Sequence, residues 1–229
     1  MQDASLLARF LRSTLGMKVL MAVTGVVLFG FLIGHVAGNL LVFAGPAKMD
    51  EYARFLKANL GLLWGVRLTL LASVVVHIAA AIRLTKLKAD ARPVGYASKR
   101  PHGSSFASRT MMWSGPVIAL FVVYHLLHFT TGHAHHSYPA FAAEKVYDNV
   151  VTAFSRPLVS AVYLAAMLAV GLHLAHGVWS MLQTVGLNRP HLEPALRGAA
   201  VVLAVLIIGG FIAIPLGVLT GIVGGGAQP

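Results

Sequence analysis

The sequence contains no cysteine and few acidic residues. Without cysteine, the chain can form no disulfide, thiolate-ligated haem or cysteine-bound iron–sulfur cluster of its own, so any metal site must use histidine. Only 11% of the 229 residues are charged, and seven acids stand against 18 lysines and arginines. The acids are Asp3, Asp50, Glu51, Asp90, Glu144, Asp148 and Glu193. None lies within a long apolar stretch, so carboxylates of the kind that mark intramembrane proton paths are missing.

Long apolar stretches dominate the chain instead. Hydrophobic residues make up 57% of it and the mean hydropathy is +0.77, which excludes an ordinary soluble protein. Five segments are long enough to cross a hydrocarbon core of ~30 Å as helices. They are residues 17–43, 64–87, 111–131, 158–182 and 196–219. We interpret the first as a retained span, because it is longer than a signal-peptide core and no small-residue cleavage site follows it. The sequence predicts an all-α fold, with residues 1–229 forming one membrane domain of five helices.

Basic residues are divided unevenly between the two sides of this bundle. Twelve flank the first segment or lie in the second and fourth connections, and six lie in or beside the first and third connections. Because Lys and Arg accumulate in cytoplasmic loops, we expect a cytoplasmic N terminus and an outer C terminus. The second connection, residues 88–109, is rich in Pro, Gly and Ser, and we expect an irregular segment there that can dock a soluble subunit.

The formal net charge of +11 raises the question of a nucleic-acid partner. The charge is spread through short loops, and no separate basic domain exists to carry such binding. Anionic lipid, an acidic partner surface and membrane topology explain it better. We therefore predict no nucleic-acid partner.

Four histidines, one in each of the first four segments, carry the strongest functional signal: His35, His77, His125 and His173. Intramembrane histidines are costly and usually functional. The predicted orientation places His35 and His125 toward the outer face, at roughly 10 to 12 Å from their helix ends, and His77 and His173 toward the cytoplasm, at roughly 14 Å. Imidazole is a good iron ligand, and two axial nitrogens complete the coordination of a haem iron. The sequence therefore predicts two bis-histidine haems b stacked across the membrane.

Glycines lie on both sides of His35 in the first segment. Gly30, Gly34 and Gly38 are spaced by four and form a stripe of small residues. Such a stripe permits close packing of two helices, and it also leaves room for a flat macrocycle. The spacing supports both interpretations equally.

Two additional histidines leave the choice of ligands open. His128 follows His125 by three residues, and His176 follows His173 by three, so each neighbour shares about the same helix face. Either member of each doublet could reach an iron.

The third connection carries another histidine cluster, His133, His135 and His136. It lacks an acidic or helical i,i+4 framework, and we interpret it as a solvated or headgroup loop rather than a metal site.

Residues 50–60 are amphipathic, and we expect them at the outer interface.

Several short motifs occur in a characteristic order. They are L-G-M-K at 15–18 with M-A-V-T-G at 21–25, H-V-A-G-N-L at 35–40, F-A-G-P at 43–46, Y-A at 52–53, Y-H-L-L-H-F at 124–129 and H-L-A-H-G-V-W-S at 173–180. With these motifs, from residue 15 to about 187, the sequence resembles the cytochrome b subunit of succinate:quinone oxidoreductases. The resemblance is to the single-subunit, five-helix, two-haem kind that uses menaquinone.

The resemblance implies a ligand set. The family's fourth ligand lies four residues before the glycine of an H-x-x-x-G-x-W-S pattern, which falls on His173, and its third falls on His125. In the family, the first and third helices, here with His35 and His125, hold the distal haem near the outer side. The second and fourth, here with His77 and His173, hold the proximal haem near the iron–sulfur subunit. Further expected haem contacts are Gly34, Gly38, His128, His176, Trp179, Ser180, Lys18 and Arg83. The last four are candidate propionate donors and equally well interfacial residues. For His128 and His176 we favour simple packing over a contact with a haem or its propionates.

The resemblance also implies a function. A flavoprotein partner would oxidise succinate, and electrons would pass through an iron–sulfur subunit to menaquinone in a bacterial cytoplasmic membrane. This chain would supply the haems, the quinone site and the anchor, without binding the dicarboxylate. Some related fumarate reductases carry a transmembrane glutamate two residues before the fourth ligand, where this chain has Gly171. We therefore expect a succinate dehydrogenase in which the membrane potential assists outward electron flow.

Two other functions use similar residues. A cytochrome b anchor of a hydrogenase or formate dehydrogenase would have a different helix number and ligand spacing. A transporter with a histidine proton relay would more often contain intramembrane carboxylates and internal repeats, and neither is evident here.

Overall fold

The structure, a computed structural model, describes residues 6–91, 105–135 and 140–225, and this part of the chain contains helices and no strand. The helices are α1 (Leu6–Arg12), α2 (Thr14–Asn39), α3 (Pro46–Ala58), α4 (Leu60–Asp90), α5 (Phe106–Phe129), α6 (Val146–Phe154), α7 (Pro157–Thr184) and α8 (Glu193–Leu219), with a 3-10 turn at Leu40–Ala44 between α2 and α3. By length and composition α2, α4, α5, α7 and α8 can cross a membrane. The predicted all-α bundle of five spans is confirmed.

Polar caps explain why some spans begin earlier than the apolar pattern predicts. Ser13 Oγ accepts a hydrogen bond from the Gly16 backbone N–H at 3.0 Å, and α2 begins at residue 14 rather than 17. Ser105 Oγ accepts one from the Ser108 N–H at 3.1 Å, and α5 begins at residue 106 rather than 111. Both serines satisfy N–H groups that a helix start leaves without partners. Hydropathy does not register such caps.

The spans pack in two antiparallel pairs that share a centre. Helix α2 packs along α4, and α5 packs along α7. The pairs meet where α2 contacts α7, and α8 packs against both of these helices. Between α7 and α8 the core contains Val170, Leu174, Ala204 and Ile208. Many apolar side chains point out of the bundle, which suits a lipid environment rather than water.

A cap formed by α3, α6 and the 3-10 turn covers the end of the bundle where α2 ends and α4 begins. The backbone N–H of Tyr147, in the first turn of α6, donates to Asp50 Oδ1 of α3 at 3.0 Å. Lys57 at the other end of α3 donates to the carbonyl oxygen of Ala143. The amphipathic segment predicted at 50–60 is therefore helical and pairs with α6, a helix that the apolar pattern did not predict.

Two predictions fall on parts of the chain outside the described residues. The irregular basic connection lies mostly at 92–104, and His136 lies in the segment 136–139.

Candidate cofactor site in the helix bundle

Two of the four intramembrane histidines meet in what we call the outer pair, after its predicted side. His35 on α2 and His125 on α5 have ring centroids 5.8 Å apart, and their planes are nearly perpendicular at 84°. Phe31, one turn before His35, stacks on the His35 ring at 5.1 Å. The outer pair thus joins the two helix pairs across the bundle.

The other two histidines form the inner pair. His77 on α4 and His173 on α7 have ring centroids 6.3 Å apart, with planes at 54°. These two pairs are the ones expected from the depth of each histidine in the sequence.

Hydroxyl groups contact both histidines of the inner pair. Thr24 Oγ1 of α2 lies 3.0 Å from His77 Nδ1, and Ser114 Oγ of α5 lies 3.3 Å from His173 Nδ1. A hydrogen bond at one ring nitrogen sets the orientation and the tautomer of a metal-binding histidine. The second nitrogen, Nε2, is then the one left for coordination.

The outer pair has different neighbours. Asn39, one turn after His35, places Nδ2 3.3 Å from His35 Nδ1 and also donates to the His35 carbonyl oxygen at 2.7 Å. Tyr163 of α7 places its hydroxyl 3.5 Å from His125 Nδ1 and 3.0 Å from His128 Nδ1. His128 is only 1% exposed and lies in an aromatic cluster around Tyr163, so it contributes to the packing of α5 against α7.

The two pairs fit the axial ligation of a haem. Two metal–nitrogen bonds of ~2 Å each, plus the distance from each ring centre to its nitrogen, separate the centroids of two trans imidazoles by about 6 Å. The observed separations of 5.8 and 6.3 Å agree with this value. No group of three or more histidines or acids gathers in the part of the chain that the structure describes. A bare ion prefers four protein ligands, whereas a haem needs only two, so the donor set suits the macrocycle.

The glycine stripe on α2 divides into two parts. A Cβ placed on Gly30 or Gly34 would meet no atom within 4 Å, so this part faces open space beside His35. A Cβ on Gly38 would lie 2.7 Å from a ring carbon of Tyr52 in α3. Gly38 therefore allows the cap to approach α2 closely, whereas Gly34 leaves room of the kind a cofactor requires.

The remaining expected contacts lie toward the opposite end of the bundle. Trp179 is buried, and the guanidinium of Arg197 from α8 covers its ring at 4.4 Å. Lys18 and Arg83 are exposed. His176 and Ser180, which follow His173 by about one and two turns, are half-buried.

The loop histidines are not equivalent. His133 is exposed, and its Nδ1 lies 2.8 Å from Thr131 Oγ1. His135 is buried, with its ring 5.2 Å from that of His128. A solvated loop describes His133 correctly, but the prediction is wrong for His135, because the chain turns at Gly132 and folds back over α5.

An apolar groove of about 480 Å³ runs between α2 and α4 beside the outer pair. Val27 and Phe31 line it on α2, and residues 61, 62, 65, 66, 69 and 70 line it on α4, where Gly61 and Gly65 leave it open. Phe31 thus contacts both this groove and the His35 ring.

The site residues missed in the sequence include Thr24, Ser114 and Tyr163. For the first two a signal exists. Thr24 precedes His35 by 11 residues and Ser114 precedes His125 by 11, which is close to three helical turns. For Tyr163 no spacing links the side chain to His125, because the two lie on different helices.

Comparison with known families identifies the chain. Residues 88–213, just over half of its length, match the family described as the succinate dehydrogenase/fumarate reductase transmembrane subunit. The chain belongs to this family. It is a multi-pass membrane protein that anchors the catalytic subunits of such a complex. Membership of this family argues against the two alternative functions, a hydrogenase-type anchor and a transporter.

The matched region covers α5 to most of α8 and includes His125 and His173. His35 and His77 lie before it, so their assignment depends on the sequence motifs and on the geometry of the two pairs. Comparison with curated proteins and with solved structures gave no match.

Proposed function

We propose that this anchor is a di-haem cytochrome b that passes electrons between the iron–sulfur subunit of succinate dehydrogenase or fumarate reductase and menaquinone. His35 and His125 would hold the distal haem, and His77 and His173 the proximal one. A haem b supplies one-electron transfer when bound, and each of the two histidine pairs would hold one such group. The observation that carries the proposal is the meeting of four histidines from four spans as two pairs, with ring centroids 5.8 and 6.3 Å apart.

The helices set the spacing of the two sites. Thr24 at the inner pair and His35 in the outer pair are 11 residues apart on α2, and Ser114 and His125 repeat this on α5. At 1.5 Å per residue both helices separate the levels by about 16 Å. Both levels would therefore fit within a bilayer core of ~30 Å.

The haem content of the purified complex tests this function. We expect two haems b per anchor chain, measured as the pyridine haemochrome against protein, and low-spin spectra in both oxidation states. Because the ligand planes cross at 84° in one pair and 54° in the other, the two ferric sites should give separate electron paramagnetic resonance signals. A complex with no haem, or with one, would contradict the assignment.

The proposed orientation follows the charges. We place the N terminus in the cytoplasm of a bacterium and the C terminus outside, with the flavoprotein and iron–sulfur subunits docked at the inner face. Three exposed cations near the end of α4 support this placement: Arg83, Lys86 and Lys88. They would face an acidic partner surface or anionic lipid.

The groove between α2 and α4 is our proposed quinone site. It is apolar, as a naphthoquinone ring with its isoprenoid chain requires, and it reaches Phe31, which stacks on His35. A quinone there would lie beside the outer pair, on the side of the membrane opposite the catalytic subunits.

Filling the groove should weaken quinone use selectively. We expect Gly65→Leu to raise the KM for a soluble menaquinone analogue about tenfold, for ~1.4 kcal/mol of lost binding, while both haems are retained. Gly209→Leu is a matched control, because a Cβ on Gly209 of α8 would also meet no atom within 4 Å. Loss of haem in Gly65→Leu alone would show that the groove belongs to the cofactor instead.

The direction of turnover is proposed as succinate oxidation. Gly171 stands where some relatives have a transmembrane glutamate, and a Cβ there would lie 3.3 Å from Ile208 Cγ1 of α8. A side chain at this position would press on Ile208, which would have to shift by a few tenths of an ångström. The described spans contain acids only at their ends, at Asp90 and Glu193. No acid within these spans can therefore carry a proton across the membrane together with the electrons.

A further inference from the structure

We propose that Thr24 and Ser114 are positioning residues, whose hydroxyl groups hold Nδ1 of the inner histidines so that Nε2 of each presents its lone pair to iron. This inference rests on the proposed haem ligation. It adds Thr24 and Ser114, which lie on α2 and α5, to an inner pair whose histidines lie on α4 and α7.

The hydrogen bonds of Thr24 favour one tautomer of His77. Thr24 is 7% exposed, and its hydroxyl donates to the Leu20 carbonyl oxygen at 2.7 Å. A hydroxyl has one hydrogen, so Oγ1 can interact with His77 Nδ1, at 3.0 Å, only as an acceptor. His77 is then protonated at Nδ1. Its Nε2 carries the free lone pair that a metal ligand needs.

Ser114 repeats the arrangement on the other side of the bundle. It is 5% exposed, and its Oγ lies 3.3 Å from His173 Nδ1 and 3.5 Å from the Met111 carbonyl oxygen. Donation to that carbonyl leaves the oxygen to accept from Nδ1, as in Thr24. The longer distances indicate a weaker restraint on His173 than on His77.

The repeat along the two helices argues against coincidence. Both α2 and α5 carry a buried hydroxyl at one position and an outer-pair histidine 11 residues later. Thr24 of α2 contacts the histidine of α4, which packs along α2. Ser114 of α5 contacts the histidine of α7, which packs along α5. Thr85 of α4 also bonds to a carbonyl one turn back, that of Ala81, yet its described bonds include no histidine. Thr24 and Ser114 thus occupy equivalent positions on their helices, each 11 residues before an outer-pair histidine.

The test removes each hydroxyl from the intact complex while preserving side-chain volume. We expect Thr24→Val to raise the midpoint potential of one haem and leave the other unchanged. An Nδ1–H with a hydrogen-bond acceptor makes the imidazole a more basic ligand, which favours ferric iron, so losing the acceptor favours the ferrous form. Loss of such a partner also typically lowers metal affinity 10- to 100-fold. Ser114→Ala should shift the same haem by less, and Thr24→Ser should restore the original potential.

The control and the contrary outcomes separate this inference from the proposed function. Thr85→Val makes the same chemical change on α4 without touching a histidine, and should shift neither potential. If the unmodified complex holds two haems and Thr24→Val has the same haem midpoint potentials as Thr85→Val, the positioning role is wrong. The proposed haem ligation is then unaffected. If Thr24→Ser shifts the midpoint potential as much as Thr24→Val does, packing rather than the hydroxyl is responsible, which also overturns the role. A haem-free unmodified complex would overturn the proposed function itself.

Discussion

Replacement of His77 or His173 by leucine is expected to remove one haem b per chain and to leave the other in place, and replacement of His35 or His125 is expected to do the reverse. The reason is the geometry of the two pairs. Each pair joins two helices, and the levels are about 16 Å apart along α2 and α5. Changes so far apart without shared partners have largely independent effects.

Each of the four replacements should also stop electron transfer to quinone. We expect succinate:menaquinone activity to fall by more than about 100-fold, because removal of a ligand exceeds the 10- to 100-fold effect of losing its hydrogen-bond partner. Succinate oxidation with an artificial acceptor that takes electrons from the catalytic subunits should continue. Optical spectra and haem counts of the four variants, compared with the two activities, provide the measurement.

The neighbouring histidines are the matched controls. His128→Leu should destabilise the contact between α5 and α7, because it removes a buried group hydrogen-bonded to Tyr163, and yet both haems should remain. His176→Leu should likewise retain both. If His128→Leu lost the distal haem and His125→Leu kept it, the assignment within the doublet would have to be reversed.

The sequence was most informative about features that repeat along a helix. Length and hydropathy predicted all five spans, because a helix in a bilayer must be apolar over a fixed distance. Depth alone grouped His35 with His125 and His77 with His173, and these are the rings that approach each other in the structure. Such predictions need only the rise per residue and the direction of each span.

Features that depend on contacts between distant residues were not predictable in the same way. The bond between the Tyr147 N–H and Asp50 joins residues 97 apart and holds the cap together. The tight contact of Gly38 with Tyr52 turned one glycine of an apparently uniform stripe into a packing position. Helix α6 has only nine residues, too few to appear in a search for spans. In each case the deciding partner lies on another element.

Dissipation of the membrane potential is expected to slow succinate:menaquinone activity in intact membranes several-fold. In the proposed orientation, electrons would enter at the inner face and reach quinone beside the outer pair. They would then move from the negative to the positive side, so the potential would assist them. Moving one charge across the whole membrane is worth about 2.3 kcal/mol per 100 mV. The two levels span about half of a ~30 Å core, which corresponds to roughly 1.2 kcal/mol, or about sevenfold, per 100 mV.

This dependence requires that no proton accompanies the electrons across the membrane. The described spans contain acids only at their ends, and position 171 is a glycine, so these spans offer no acidic path for such a proton. The measurement compares oxygen uptake with succinate before and after an uncoupler, with an artificial acceptor at the catalytic subunits as the control. Only the quinone-linked rate should fall. An equal rate with and without uncoupler would mean that protons do cross with the electrons, by a route through groups other than carboxylates, or that quinone is reduced on the inner side.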